Sequence, residues 1–87
     1  MIEQVRLGLD ELHSIGLAHC DISVDNVLID DNGVVFLGDL EYLTPVNEPA
    51  PHFTRLPAGV TADQVQSAGH LDDWQFEVFS AQVHALQ

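Results

Sequence analysis

Lysine is absent from this 87-residue sequence, and Arg6 and Arg55 are its only strongly basic residues. Set against 14 acidic residues they leave a formal net charge of −12. Such a chain repels polyanions and concentrates cations around itself. Nucleic acid and anionic membrane surfaces, which are bound through basic residues, are therefore not expected partners. Cysteine is nearly absent as well. Cys20 alone cannot close an internal disulfide, so the fold does not depend on an oxidising compartment. No apolar run approaches the roughly 20 residues that span a bilayer. The opening stretch MIEQVRLGLDELHSIG carries acids inside its apolar pattern and lacks both a basic leading region and an uninterrupted apolar core. An intracellular, cytoplasmic location is the expectation. Length allows one small domain, residues 1–87, burying about 60–65% of its unfolded surface.

What is present is globular: 46% of the residues are hydrophobic, with no low-complexity tract. Ile2, Val5, Leu9, Leu12 and Ile15 recur at steps of three or four and predict an amphipathic helix closed by Gly16 as its C-cap. LAHCDISVDN reads as an irregular loop. VLI and VVFL flank DDNG, whose Asn-Gly favours a tight turn, and predict a short β-hairpin. Four prolines between residues 45 and 57 make residues 44 to 60 an extended loop. HLDDWQFEVFSAQVHALQ predicts a helix running to the C-terminus, with Asp72 or Asp73 as N-cap and Gln75 completing a capping box. Leu71, Trp74, Val78 and Leu86 lie broadly on one side of it. Phe76, Phe79 and Val83 widen the apolar surface, so this helix is expected to be buried on several sides, with some apolar surface left over for a protein partner or self-association. The expected class is α+β, in the order helix, loop, hairpin, long loop, helix.

Three polar residues stand at loop positions around the hairpin. Asp21 precedes Asn26 by five residues, and Asp39 lies thirteen beyond Asn26, just past the second strand. A hairpin returns the chain to its start, so Asn26 and Asp39 can converge. One carboxylate and one amide oxygen suit Mg²⁺, which takes one or two carboxylates plus phosphates and keeps several waters. Asp21 beside them can accept a hydroxyl proton or orient a nucleophile. By contrast His13, His19, His52, His70 and His84 show no paired ligand spacing for zinc. Cys20 reads as a buried, inert thiol, because a neighbouring carboxylate disfavours the thiolate. Trp74, Phe76 and Phe79 read as core, and Asp30, Asp31, Glu48 and Asp63 as solvated surface.

These residues carry a resemblance. HCDISVDN is similar to the protein-kinase catalytic loop, His-Arg-Asp followed by four residues and Asn, and GDLEYL stands where that family has Asp-Phe-Gly. The D-I-S-x-x-N wording and HLDDWQFEVF most resemble the fungal-type protein kinases. The resemblance covers nearly the whole chain and implies a partial kinase C-terminal lobe: helix, catalytic loop, hairpin, activation-type loop and helix. It implies Mg²⁺ and ATP as cofactors, with Asp21 as the catalytic aspartate, Asn26 as the second metal ligand, Asp39 as the principal Mg²⁺ ligand, His19 as structural support, and Asp72 or Asp73 as the aspartate that holds the catalytic loop from below.

The departures from the pattern carry expectations too. Cys20 replaces the arginine that receives an activation-loop phosphate in many kinases. Ser23 stands where many have a phosphate-directed lysine. Leu40-Glu41 replaces Phe-Gly, and DLEY also resembles choline-kinase and aminoglycoside-phosphotransferase relatives. The family's glycine-rich loop, strand lysine and helix glutamate bind and orient ATP. They have no counterpart in these residues, whose six glycines are scattered. The expectation is a kinase-like fragment without its N-terminal lobe, inactive alone. Two alternatives stand beside it: a non-catalytic, pseudokinase-like interaction module, and a fragment of a small-molecule phosphotransferase.

Overall fold

The structure, a computed structural model, describes residues 1–51, 56, 59–61 and 64–85. His52, Arg55, Asp63 and Leu86 lie outside the described residues. Helix α1, Ile2–Ser14, follows from the three-to-four spacing of its apolar residues, of which Val5 and Leu9 are buried. Gly16, with φ +85°, ends it in the left-handed conformation that glycine adopts without steric cost. Because the helix stops at Ser14, Ile15 leaves the apolar face on which its spacing had put it, and it is 70% exposed.

The next residues are not wholly irregular. Leu17–Ala18 form strand β1, paired antiparallel with β4, Thr44–Pro45, so a piece of the expected loop at each end becomes a two-residue ladder. Between them β2, Val27–Ile29, and β3, Val35–Leu37, form the expected hairpin in the register Val27↔Leu37, Leu28↔Phe36, Ile29↔Val35. Asp30 closes its turn. The Asp30 carboxylate accepts from the amides of Asn32 and Val34, and Gly33 takes φ +80°. Asp30 is therefore a turn-former rather than mere solvated surface, as an Asx geometry allows. A short 3₁₀ turn, Leu40–Tyr42, joins β3 to β4.

Helix α2 spans Ala68–Ala85 and starts five residues earlier than a cap at Asp72 predicts and six earlier than one at Asp73. Ser67 is the cap: its hydroxyl accepts from the His70 amide and its carbonyl from the Leu71 amide. The amides of Ala68 and Gly69 donate to the carbonyls of Glu48 and Val46. Every amide of the first turn thus has an acceptor, and Asp72 is released from capping to face inward. The inward face is narrower than the apolar residues implied. Ala68, Leu71, Asp72, Gln75, Phe79 and Val83 are buried, whereas Val78 is 39% exposed.

Two apolar clusters sit on this face. Val5, Leu9, Ile22, Phe79 and Val83 form one, flanked by Val27, Val35, Leu37 and Phe76. Ala18, Cys20, Ala68 and Leu71 form the other, flanked by Tyr42 and Val46. Asp72 and Gln75 lie between the two groups of α2 residues, where the segment after β1 crosses the helix. Among the described residues no helix is long and apolar enough to cross a membrane. Among the described residues the hairpin exposes Leu28, Ile29, Val34 and Phe36, whereas α2 exposes Val78.

The packing separates two residues that the sequence placed on one side of α2. Leu71→Ala is expected to destabilise the chain by about 2–5 kcal/mol, and Val78→Ala by no more than about 0.5 kcal/mol. Urea unfolding of the two variants is the check, and equal costs would contradict the inward face described.

Candidate functional site

The segment His19–Ile22 lies between β1 and the hairpin, with no ladder to take up its amides. All four of its backbone N–H groups donate to side chains instead. His19 and Cys20 donate to the two carboxylate oxygens of Asp72, at 2.8 and 2.6 Å. Asp21 donates to Nδ1 of His19 at 3.1 Å, and Ile22 to Oε1 of Gln75 at 2.8 Å. The Gln75 Nε2 returns a bond to the Cys20 carbonyl at 3.2 Å. Asp72 also accepts from Nε2 of His13, on α1, at 2.7 Å. A carboxylate with no exposed surface thereby receives two backbone donors and one imidazole donor. Such bonds to a charged group are worth about 1.5–3 kcal/mol each, and they offset the desolvation that buried acids suffer.

Of the two acids between which the sequence could not choose, Asp72 makes the contacts with this loop. Asp73 is 56% exposed and meets Arg6 at 3.1 Å. Arg6 is also bound to Asp10 at 2.8 Å and lies over the Phe76 ring. Its charge is thus committed to the α1–α2 surface and, paired there with two exposed carboxylates, adds little stability.

The anchoring holds the chain in unusual backbone. Cys20 has φ +69°, a left-handed conformation that costs a residue with a Cβ about 1–3 kcal/mol. Its amide and carbonyl are the groups that Asp72 and Gln75 hold. Its side chain is fully buried in the second cluster. Burial, reinforced by the nearby Asp72 charge and partly opposed by a hydrogen bond with Thr44, pushes the thiol from 9.0 up to about 12. The inert thiol read from the sequence is what the structure contains, though Asp72 rather than Asp21 supplies the opposing charge.

His19 connects this anchor to the hairpin. Its Nδ1 accepts from the Asp21 amide, and its Nε2 donates to the Gly38 carbonyl at 2.7 Å. One acceptor and one donor require the neutral imidazole with its proton on Nε2. The Gly38 amide in turn donates to the Asn26 carbonyl at 2.7 Å. Asn26 then reaches back: its Nδ2 donates to both the carbonyl and the Oδ2 of Asp21, at 2.8 Å each. Asp21, 6% exposed, and Asn26 are therefore in direct contact. Asp39 follows Gly38 at the exposed end of β3. It too has a left-handed backbone, φ +51°, and its carboxylate makes no capping bond to the 3₁₀ turn it precedes. Asp tolerates that conformation better than most residues with a Cβ.

Asn26 contacts Asp21 through its amide nitrogen, which leaves Oδ1 as the side-chain atom not used in that contact. The donor types of Asn26 and Asp39, an amide oxygen and a carboxylate, are ones that suit Mg²⁺. Among the described residues no three His, Cys, Asp or Glu side chains gather as a metal site. Sequence pattern alone assigns no loop-anchoring role to His13 and makes Gln75 only a capping partner. Both carry a positional signal. His13 follows Leu9 by four residues, and Gln75 precedes Phe79 by four, so both stand in the inward-facing rows of their helices.

Compared with curated proteins, the chain is similar to serine/threonine-protein kinase Tao of Drosophila melanogaster, 35% identical over 77 residues, which is 82% of this chain and 7% of that protein. It is also similar to a probable serine/threonine-protein kinase of Schizosaccharomyces pombe, 46% identical over 39 residues, 45% of this chain and 5% of the relative. A third likeness is to serine/threonine-protein kinase UCN of Arabidopsis thaliana, 32% identical over 56 residues, covering 63% of this chain and 14% of that kinase. The chain spans no more than 14% of the length of any of these three. No family model matches it. The relationship is kinase-like, carried by short stretches.

The raised Cys20 thiol has a consequence above neutral pH. Between 9.0 and about 12 the unfolded chain gives up a proton that the folded chain keeps. Stability is therefore complete below this window and falls as pH rises through it, at up to about 1.4 kcal/mol per pH unit. Urea unfolding of wild type and Cys20→Ala across this range is the check. The wild type should decline more steeply, and parallel profiles would contradict the buried thiol.

Proposed function

We propose that this chain forms the metal-facing and hydroxyl-facing part of a kinase-like phosphotransferase, one that passes a phosphoryl group from ATP to a protein serine or threonine hydroxyl. The observation that carries the reading is the link from Asp21 through Asn26 to Gly38. The Asp21 carboxylate is held by the Asn26 amide, and the Asn26 carbonyl pairs with the residue that precedes Asp39. The similarity to serine/threonine kinases supplies the reaction class.

In this reading Asp21 faces the acceptor hydroxyl. Its Oδ2 is fixed by Asn26 and its peptide by His19, so the carboxylate is oriented to accept the hydroxyl proton or to align the oxygen. Phosphoryl transfer depends on positioning and electrostatics more than on covalent chemistry, which suits a residue held both at its carboxylate and at its peptide groups. Asn26 through Oδ1 and Asp39 through its carboxylate would hold Mg²⁺, which when bound neutralises phosphate charge. Neither arginine is assigned to phosphate: Arg6 is committed to Asp10 and Asp73, and Arg55 lies outside the described residues. The 87 residues alone are accordingly expected to give no measurable ATP turnover.

Mn²⁺, a paramagnetic substitute for Mg²⁺, tests the metal assignment on the isolated chain. Titration into ¹⁵N-labelled protein is expected to broaden the amides of Asn26, Gly38 and Asp39 first, with excess Mg²⁺ reversing the effect and Asp39→Asn weakening it about tenfold. Broadening confined to surface acids such as Asp31 and Glu77, unchanged by Asp39→Asn, would overturn the reading.

A further inference from the structure

We infer that Gln75 is a positioning residue for Asp21, acting from α2 on the two peptide groups that flank it. The inference rests on the reading of Asp21 as the hydroxyl-facing carboxylate, but its geometry stands on the described contacts alone. The carbonyl before Asp21, that of Cys20, accepts from Gln75 Nε2. The amide after Asp21, that of Ile22, donates to Gln75 Oε1. One side-chain amide therefore brackets a single residue. It supplies the donor that the preceding peptide needs and the acceptor that the following peptide needs.

The side chain is 3% exposed and sits one turn after Asp72 on the same helix face. The division of labour between the two is specific. Asp72 takes the amides of His19 and Cys20 and fixes where the segment enters. Gln75 fixes the direction in which it leaves. Cys20, left-handed at φ +69°, and Ile22 put their side chains into different apolar clusters. Asp21, between them, is directed toward Asn26. An amide is the side chain this task requires. A carboxylate in its place accepts from Ile22 but sets a negative oxygen against the Cys20 carbonyl. An aliphatic residue of similar volume leaves both buried peptide groups without their partner.

These differences give the test. Wild type, Gln75→Leu and Gln75→Glu of the full chain are compared by amide hydrogen exchange. In Gln75→Leu the Ile22 amide is expected to exchange at least tenfold faster, while the amides of Leu9 and Phe79 keep their rates. In Gln75→Glu the Ile22 amide keeps its acceptor, and at neutral pH a loss of protection is expected instead at the Asp21 amide, whose peptide carries the Cys20 carbonyl. Protection should be recovered under mildly acidic conditions, where the introduced carboxyl group gains a proton and can again donate to Cys20. The ionisable groups around this position are Asp72 on α2, His19, Cys20 and Asp21 on the loop, His13 on α1, and Tyr42 near the second cluster. All are shared by Gln75→Leu, which therefore controls for their titration and should show no acid recovery.

An unchanged Ile22 rate in a folded Gln75→Leu variant would overturn the inference. So would a uniform acceleration of all amides in both variants without acid recovery, because that is the behaviour of a packing residue. These readouts are backbone amides and do not depend on metal or hydroxyl binding. Failure here is thus distinct from failure of the phosphotransferase reading, which the Mn²⁺ titration addresses.

Discussion

The carboxylate of Asp72 is the constraint on which the loop, and through it the candidate site, depends. A fully buried acid is unfavourable unless it is paired or heavily hydrogen-bonded. Here the amides of His19 and Cys20 and the imidazole of His13 converge on its two oxygens. These contacts join α2 to α1 and to the start of the loop at one point. They also hold Cys20 in a conformation that its own backbone preference disfavours. The strain is local and the compensation comes from another part of the chain, as expected where surrounding structure over-determines a loop.

From that point the order propagates outward along hydrogen bonds. His19, fixed through its amide, has its imidazole between the Asp21 amide and the Gly38 carbonyl. That imidazole bridges the loop and the end of the hairpin. Asn26 closes the circuit by bonding Asp21 with its side chain and Gly38 with its carbonyl. The two apolar clusters supply the burial that makes these bonds strong, since a low-dielectric surrounding strengthens a satisfied polar network. Cys20 and Ile22 drive the loop into those clusters on either side of Asp21.

Much of this arrangement was legible in the sequence, for reasons that differ by element. Helix α1 and the hairpin were readable because their signals are local: apolar spacing for one, two β-rich runs around Asp-Asn-Gly for the other. Asp21 and Asn26 stood out by their five-residue spacing, and their side chains are in contact. The start of α2 was misread because Ser and Asp are equally good N-caps. Asp72-Asp73 looked like the stronger signal, yet Asp72 is the buried anchor and Ser67 does the capping. The β1–β4 pairing was invisible, since Leu17–Ala18 and Thr44–Pro45 are too short to show alternation and meet only through the tertiary fold. His13 and Gln75 were missed because a polar residue in an inward row reads as an interruption of the apolar face, whereas here it is a partner for backbone that has no ladder.

The most direct measurement of this account is the ¹H–¹⁵N spectrum of the chain beside that of Asp72→Asn. The substitution keeps the shape of the side chain and replaces one acceptor oxygen with a donor. In the wild type, the His19 and Cys20 amide protons are expected well downfield and strongly protected from exchange, because both donate to a buried carboxylate. In Asp72→Asn both should lose their shift and protection, and the Asp21 and Gly38 amides should move with them, while the amides of Val5 and Leu9 stay in place. Ordinary shifts and rapid exchange for His19 and Cys20 in a folded wild-type chain would contradict the central role given to Asp72.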